Sequence, residues 1–199
     1  MRKMPRQTRA RATVDAIHEA ALQVLESVGL DKLTTTRVAE RAGVSVGTLY
    51  QYYSDKDSLV HALVVAYLGR VERAMHAVLE EEGSLPALAR GFVRRFIAFK
   101  LEGGEGSEAR RGVYLAGAGR TVANEATRSF VVALAKGIQA RQPSWPLAHA
   151  TEIANMWTSL VFGGTNAMLE RDAGLVAEAW FGESLERAVL AVLREPGER

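Results

Sequence analysis

Cysteine is absent from all 199 residues, which excludes disulfide scaffolds, thiolate zinc sites, thiol nucleophiles and thiol redox sensors together and fits a reducing compartment. Alternating patterns are missing as well: no stretch of four or more residues switches between apolar and polar cleanly enough for a strand, so the fold is expected to be all-α. No run is long enough to span a membrane. The longest uncharged one, Ile153 to Leu169, falls short of the roughly 20 apolar residues required and is interrupted by Asn155, Thr158, Ser159, Thr165 and Asn166. The start of the chain lacks the apolar stretch of about 7 to 15 residues that a secretory signal needs, so a cytoplasmic protein is expected. The four histidines, His18, His61, His76 and His149, show no HExxH or other local metal spacing, and neither a metal nor a cofactor is expected.

Net charge is also small, because 25 Lys and Arg face 23 Asp and Glu for a formal +2. Its distribution is uneven. Arg2, Lys3, Arg6, Arg9 and Arg11 are five cations with no acid among them, and subtracting them from 25 leaves 20 bases against 23 acids over residues 12–199. This basic head reads as a flexible arm that reaches nucleic acid beside a docked domain. What the chain does have is apolar side chains, 48% of the total. That is enough to bury a core in one domain, or in a small domain fused to a larger one.

Apolar positions recur at helical spacing and predict about nine helices. The first runs from about Arg11 to Val28 and ends at Gly29. A short second helix opens at Thr34-Thr35-Thr36, where a hydroxyl can accept from unpaired backbone amides, and closes near Ala42-Gly43. A third, about Val46 to Tyr53, has Ser45 as N-cap. The fourth begins at Ser54-Asp55-Lys56-Asp57, read as a capping box between Ser54 and Asp57, and continues to about Glu82. Helices are then expected at about Leu85–Leu101, Val113–Ala118, Thr121–Arg141, Leu147–Glu170 and Leu175–Arg194, with the Gly- and charge-rich stretch from Glu102 to Arg111 the least ordered.

Residues 34–56, TTTRVAERAGVSVGTLYQYYSDK, have the form of a helix-turn-helix, two short helices joined by a tight turn with glycine. Val38, Ala39 and Ala42 give the second helix a small-residue inner face, Leu49 pins the third beneath, and Gly43 allows positive φ in the turn. Outward on the third helix are Val46, Gly47, Thr48, Tyr50, Gln51 and Tyr52, a face of hydroxyls, an amide and small groups suited to a major groove. No charged side chain occurs from Ala42 to Ser54. Phosphate attraction must therefore come from Arg37, Lys56, helix N-termini and the basic head.

Residues Ile17 through Leu59 resemble the DNA-binding domain of the TetR family of bacterial transcriptional regulators. The resemblance rests on Gly29, Thr34 to Thr36, Ala42-Gly43-Val44-Ser45, Gly47-Thr48-Leu49-Tyr50 and Lys56, with Tyr53 standing where the family more often has Phe. It implies an all-helical fold: a DNA-binding domain with its basic arm over residues 1–55, and a ligand-binding, dimerising domain over 56–199. It further implies that Thr36, Arg37, Ser45, Thr48, Tyr50, Tyr52 and Lys56 grip phosphates while Val46, Gly47 and Gln51 lie nearest base edges. The partners would be double-stranded operator DNA, a small-molecule effector and a second copy of the chain. The reading is a repressor released by its ligand, with an activator as the alternative.

Gly43-Val44-Ser45-Val46-Gly47 also spells G-x-S-x-G, the hydrolase nucleophile elbow, but that motif needs a preceding strand, and a helical, charged segment stands there. A helical enzyme and a scaffold without DNA remain the rival classes. Phe92, Phe96 and Phe99 sit at helical spacing, as core or as a ligand box that Tyr114, Met156 and Trp157 would complete, with His76 on the fourth helix beside it. The run from Ile153 to Leu169 and the last helix, with Leu175, Val176, Ala179, Trp180, Leu185, Val189, Leu190 and Leu193, are either a four-helix bundle across a two-fold axis or intrachain core.

Overall fold

The computed structural model describes residues 6–102 and 118–193, and every regular element among them is helical. In chain order these are α1 (Arg6–Val28), α2 (Thr35–Ala42), α3 (Val46–Tyr50), α4 (Lys56–Glu80), α5 (Leu85–Leu101), α6 (Ala118–Arg141) and α7 (Leu147–Thr158). A π turn (Ser159–Gly163), α8 (Gly164–Arg171), α9 (Ala173–Ala177) and α10 (Ala179–Ala191) follow. None of the helices among the described residues is long and apolar enough to cross a membrane. The glycine- and charge-rich stretch after Glu102, the helix expected around Val113 and Tyr114 lie outside the described residues.

The described chain forms two compact units, one of residues 6–66 and 118–120, the other of 67–102 and 121–193. In the first, α1 packs on α2 and α2 on α3, closing over Ile17, Leu25, Leu33, Val38, Leu49 and Leu59, all essentially excluded from solvent. The first helix starts five residues earlier than its apolar period suggests. Arg, Gln and Ala are strong helix formers, and nothing between residues 6 and 11 breaks a helix, so the arm inferred for residues 2–11 is helical from Arg6 on. Arg2 and Lys3 lie outside the described residues.

The capping box at the start of α4 falls one residue later than the sequence reading placed it. Asp55 Oδ1 accepts from the Ser58 N–H at 2.7 Å and Ser58 Oγ accepts from the Asp55 N–H at 3.1 Å, while Ser54 Oγ donates to Asp55 Oδ2 at 2.9 Å. A carboxylate at the N-cap also faces the positive end of the helix, which a serine there cannot exploit. These bonds, led by the Ser58 amide, hold the Asp55 carboxyl below its ordinary range. A depressed carboxylate contributes stability above its unfolded pKa of about 3.9 and loses it as pH falls through the lower folded value. Asp55→Asn is therefore expected to flatten that part of the acid limb in a stability-against-pH series, and an unchanged limb would refute the cap.

In the second unit, α5 packs against α10 and the π turn. Phe92, Phe96, Phe130 and Trp157 are buried, Phe162 of the π turn is half-buried, and most of their ring pairs stack, with Phe92 and Phe162 tilted at 41°. Phe96 and Phe162 stack at 4.2 Å and 19°, Phe92 and Phe130 at 5.7 Å and 22°, Phe92 and Trp157 at 6.4 Å and 21°. Trp157 Nε1 donates to the Val189 carbonyl of α10 at 2.9 Å, satisfying the one polar atom of the buried indole. The helix expected over Leu147–Glu170 is continuous only through the π turn. That expected over Leu175–Arg194 is broken at Glu178, whose extended backbone (φ −71°, ψ 134°) separates α9 from α10.

Arg141, near the end of α6, closes the far end of α4. Its Nη2 donates to the Leu79 carbonyl at 3.3 Å and to the Glu81 carbonyl, and its Nη1 to the Gly137 carbonyl at 3.1 Å. A cation there meets the negative end of the helix. Gly137 permits the approach, since a Cβ on it would stand 3.3 Å from Leu79 Cδ2.

Candidate nucleic-acid interface

The three threonines at the start of α2 divide their work. Thr34, in extended backbone, caps the helix by accepting from the Arg37 N–H at 3.3 Å. Thr35 Oγ1 lies 3.2 Å from Tyr50 Oη, tying the start of α2 to the end of α3. Thr36 is exposed. The sequence reading passed over Thr35, and its signal was only the run of three hydroxyls.

The turn is set by glycine. Gly43 takes φ 67° and ψ 29°, its N–H donates to Glu40 O at 3.2 Å, and the Val44 N–H donates to Ala39 O at 3.0 Å. This pair of bonds is a Schellman closure, which needs a left-handed residue at its centre. Ser45 then caps α3, with its Oγ accepting from the Thr48 N–H at 3.0 Å and lying 2.8 Å from Thr48 Oγ1. The G-x-S-x-G serine thus follows a helix and a turn and serves as a helix cap, where an esterase elbow requires a strand. Among the described residues no group of three or more ligating side chains could hold a metal.

With Leu49 fully buried beneath, α3 turns its other side outward. Gly47, Tyr50, Gln51 and Tyr52 are exposed and Val46 and Thr48 partly so. The helix itself stops at Tyr50, and Gln51 and Tyr52 continue as a turn bonded back to Gly47, Thr48 and Leu49. Tyr53 is half-buried, its Oη 2.7 Å from His18 Nε2 of α1. Burial first, then Asp15 and Tyr52, raises its pKa, so the phenol stays neutral at pH 7 and the tie to α1 is kept. That explains how a tyrosine serves where a phenylalanine would only pack.

Three cations beside this face are tied down, two to the loop between α1 and α2 and one to α1 itself. Arg37 Nη1 donates to Lys32 O at 2.5 Å, Lys56 Nζ to Leu30 O at 2.7 Å, and Arg41 Nε to Gln23 Oε1 of α1 at 2.6 Å. A guanidinium has five donors and an ammonium three, so one bond to a carbonyl orients the group and leaves other N–H bonds pointing outward.

Residues 17–63 match the sequence model of the family described as "Bacterial regulatory proteins, tetR family". Over these residues the chain is similar to the TetR family. Among similar proteins, the tetracycline repressor protein class D of Escherichia coli is 38% identical over 61 residues, covering 31% of this chain and 28% of the repressor. The match thus spans little more than a quarter of that relative. Over nearly the whole length the fold is that of a TetR family transcription regulator from Marinobacter aquaeolei VT8 (TM-score 0.69, 17% identity, 94% of this chain and 97% of that one). It is also that of SmeT in its complex with triclosan (TM-score 0.71, 16% identity, 94% and 93%).

The residues considered for a ligand box divide. Phe92, Phe96, Phe99 and Trp157 are buried, the first two and Trp157 in the ring stack, and Phe99 lies 5.8 Å from the Tyr67 ring. Met156 is 50% exposed and is not part of the cluster, because neighbours on a helix point about 100° apart and Trp157 takes the inward position. His76 is partly exposed, 3.9 Å from Glu72 and edge-on to Phe130 at 5.9 Å. Phe130 and Phe162 complete the cluster. Sequence reasoning missed both because Phe130 is the lone aromatic of its helical run and Phe162 stands five residues from Trp157, a spacing that a regular α-helix does not place on one face.

Proposed function

We propose that this protein is a ligand-responsive transcriptional regulator that binds a near-palindromic operator as a homodimer and is released by a small molecule in its second unit. The observation that carries the reading is the outward face of α3, capped and pinned from beneath yet bearing exposed Gly47, Tyr50, Gln51 and Tyr52. Thr36, Arg37, Ser45, Thr48, Tyr50, Tyr52 and Lys56 are assigned to phosphates, and Val46, Gly47 and Gln51 to base edges. Two copies of α3 would enter successive major grooves about 34 to 36 Å apart. A repressor is favoured by the similarity to the tetracycline repressor, and a small-molecule effector by the shared fold with SmeT, whose structure holds triclosan. The run from Ile153 to Leu169 is not covered on all sides in one chain: Met156, Ser159, Gly163 and Ala167 form an exposed stripe and Trp180 of α10 is 48% exposed. A second copy covering it accounts for these surfaces.

The test is a mobility shift of the upstream intergenic DNA of its own gene at moderate salt, together with selection of a preferred site from random duplexes. A dimer-sized shift on a near-palindrome is expected, and no sequence preference at any salt would overturn the reading. Within it, Gln51→Ala should change the base preferred at one position per half-site, at a cost of roughly 1–3 kcal/mol on the original site. Lys56→Ala should weaken binding alike on all sequences and reduce the salt slope by about 1. Loss of the Leu30 tie should cost a further stability decrement of about 1 kcal/mol in a urea melt without DNA. Altered preference with an unchanged slope would reverse the roles of these two residues.

A further inference from the structure

Three helical threonines bond back to the preceding turn. Thr13 donates to Arg9 O at 3.0 Å, Thr151 to Leu147 O at 2.7 Å and Thr158 to Ala154 O at 2.8 Å. Thr165 is fully buried, and its Oγ1 has no hydrogen-bond partner. It stands in the first turn of α8, directly after the π turn, where the N–H of Gly164 reaches both Leu160 O and Val161 O. Two independent anomalies therefore meet at one place: a wide helical turn, a form that recurs at functional sites, and an orphaned hydroxyl whose burial is costly. The same turn carries Phe162, the half-buried member of the aromatic cluster, stacked on buried Phe96.

We infer that the π turn and Thr165 form the polar end of a seat for an uncharged aromatic molecule bearing one oxygen, which bonds the Thr165 hydroxyl. This rests on the reading of the second unit as the effector-binding part and names the chemical class of that effector. The molecule's ring takes the place of Phe162 against Phe96, and the turn, already wider than an α-helix, yields to let Phe162 move aside. Its oxygen can accept from Thr165 or donate to it, since a hydroxyl does both. A charge is disfavoured at the Thr165 end: α8 continues into Leu169, which packs with Val176, Phe181, Ile97, Met168 and Leu185, none of them ionic, and the buried Lys100 ammonium, 5.4 Å from the centroid of the Phe96 ring at the other end, is already bonded to Tyr67 Oη.

Calorimetry on the full-length protein without DNA tests this with biphenyl, 4-hydroxybiphenyl and biphenyl-4-carboxylate. The hydroxy compound should bind roughly three- to tenfold more tightly than the hydrocarbon, as one net hydrogen bond gives, and the carboxylate more weakly than either. In Thr165→Val that preference should fall to about one with biphenyl affinity retained, and the ligand-free variant should melt higher than the parent because an orphaned polar atom is gone. Thr158→Val, which removes a bonded hydroxyl on the same buried side, should melt lower and keep the preference. A lower melting temperature for Thr165→Val, an unchanged preference in that variant, tightest binding by the carboxylate, or no saturable binding of any of the three would overturn the inference. None of those results bears on DNA binding, which is read separately by the mobility shift.

Discussion

Trp157→Ala is expected to lower stability by about 3–5 kcal/mol, the largest single effect in the second unit. The indole is fully buried and in a near-parallel arrangement with Phe92, and the small side chain would leave a cavity between α5, α7 and α10 that close-packed neighbours fill only partly. The substitution also removes the donor to Val189 O, adding the cost of a buried carbonyl left unmatched. Trp157→Phe separates the two contributions, because it keeps a ring beside Phe92 and loses the donor, and it should cost about 1–3 kcal/mol. Urea denaturation followed by circular dichroism measures both. A loss under 1 kcal/mol for Trp157→Ala would mean that the ring stack does not hold the second unit together.

The second large effect separates folding from binding at one residue. Gly47 lies within α3 in helical backbone and is not among the glycines with positive φ. A Cβ built on it would meet only Ser45 Oγ, at 3.8 Å, an ordinary contact. Nothing inside the chain therefore asks for glycine here, and a glycine in a helix costs about 0.5–1 kcal/mol relative to alanine. Gly47→Ala should accordingly stabilise the first unit by up to about that amount. Gly47→Leu, of nearly parental stability, should reduce operator affinity by on the order of a hundredfold, about 2.7 kcal/mol, because a branched side chain holds α3 away from the groove floor. Paired urea melts and mobility shifts check it. Operator affinity retained in Gly47→Leu would remove this face of α3 from the interface.

These two residues also show where sequence reading succeeds and where it stops. The helix-turn-helix was legible because its signals are local: Thr34 caps through the amide three residues on, Gly43 supplies its own φ, and Leu49 is the one apolar residue that must point inward from a five-residue helix. Spacing assigns Val38, Ala39, Ala42 and Leu49 to the inner face; Val38, Ala39 and Leu49 are buried, whereas Ala42, the last residue of α2, is only half-buried. The capping box at α4 was read one position early, because Ser54 and Asp55 are both good N-caps and only the path of the backbone selects between them.

The second unit was less legible for a reason of distance. Whether Phe92 and Phe96 are core depends on Phe130, Trp157 and Phe162, which come from other helices 30 to 70 residues away in sequence, and no local pattern reports such meetings. Met156 and Trp157 are equally apolar neighbours, yet one is half exposed and the other fully buried. The phase of α7 against α5 and α10 decides that difference. The π turn and the break at Glu178 arise in the same way. A uniform helical period runs through both in the sequence, whereas packing against α5 sets where the backbone widens or bends.

The sequence by itself determined the all-α fold, the helix-turn-helix and its outward groups, since helical period, caps and left-handed glycines are properties of neighbours along the chain. Only the tertiary structure decided that Arg37 and Lys56 are braced by loop carbonyls, that Thr35 meets Tyr50, and that Thr165 is buried without a partner. Each of these is a meeting, or a failure to meet, between groups whose separation is fixed by how helices pack.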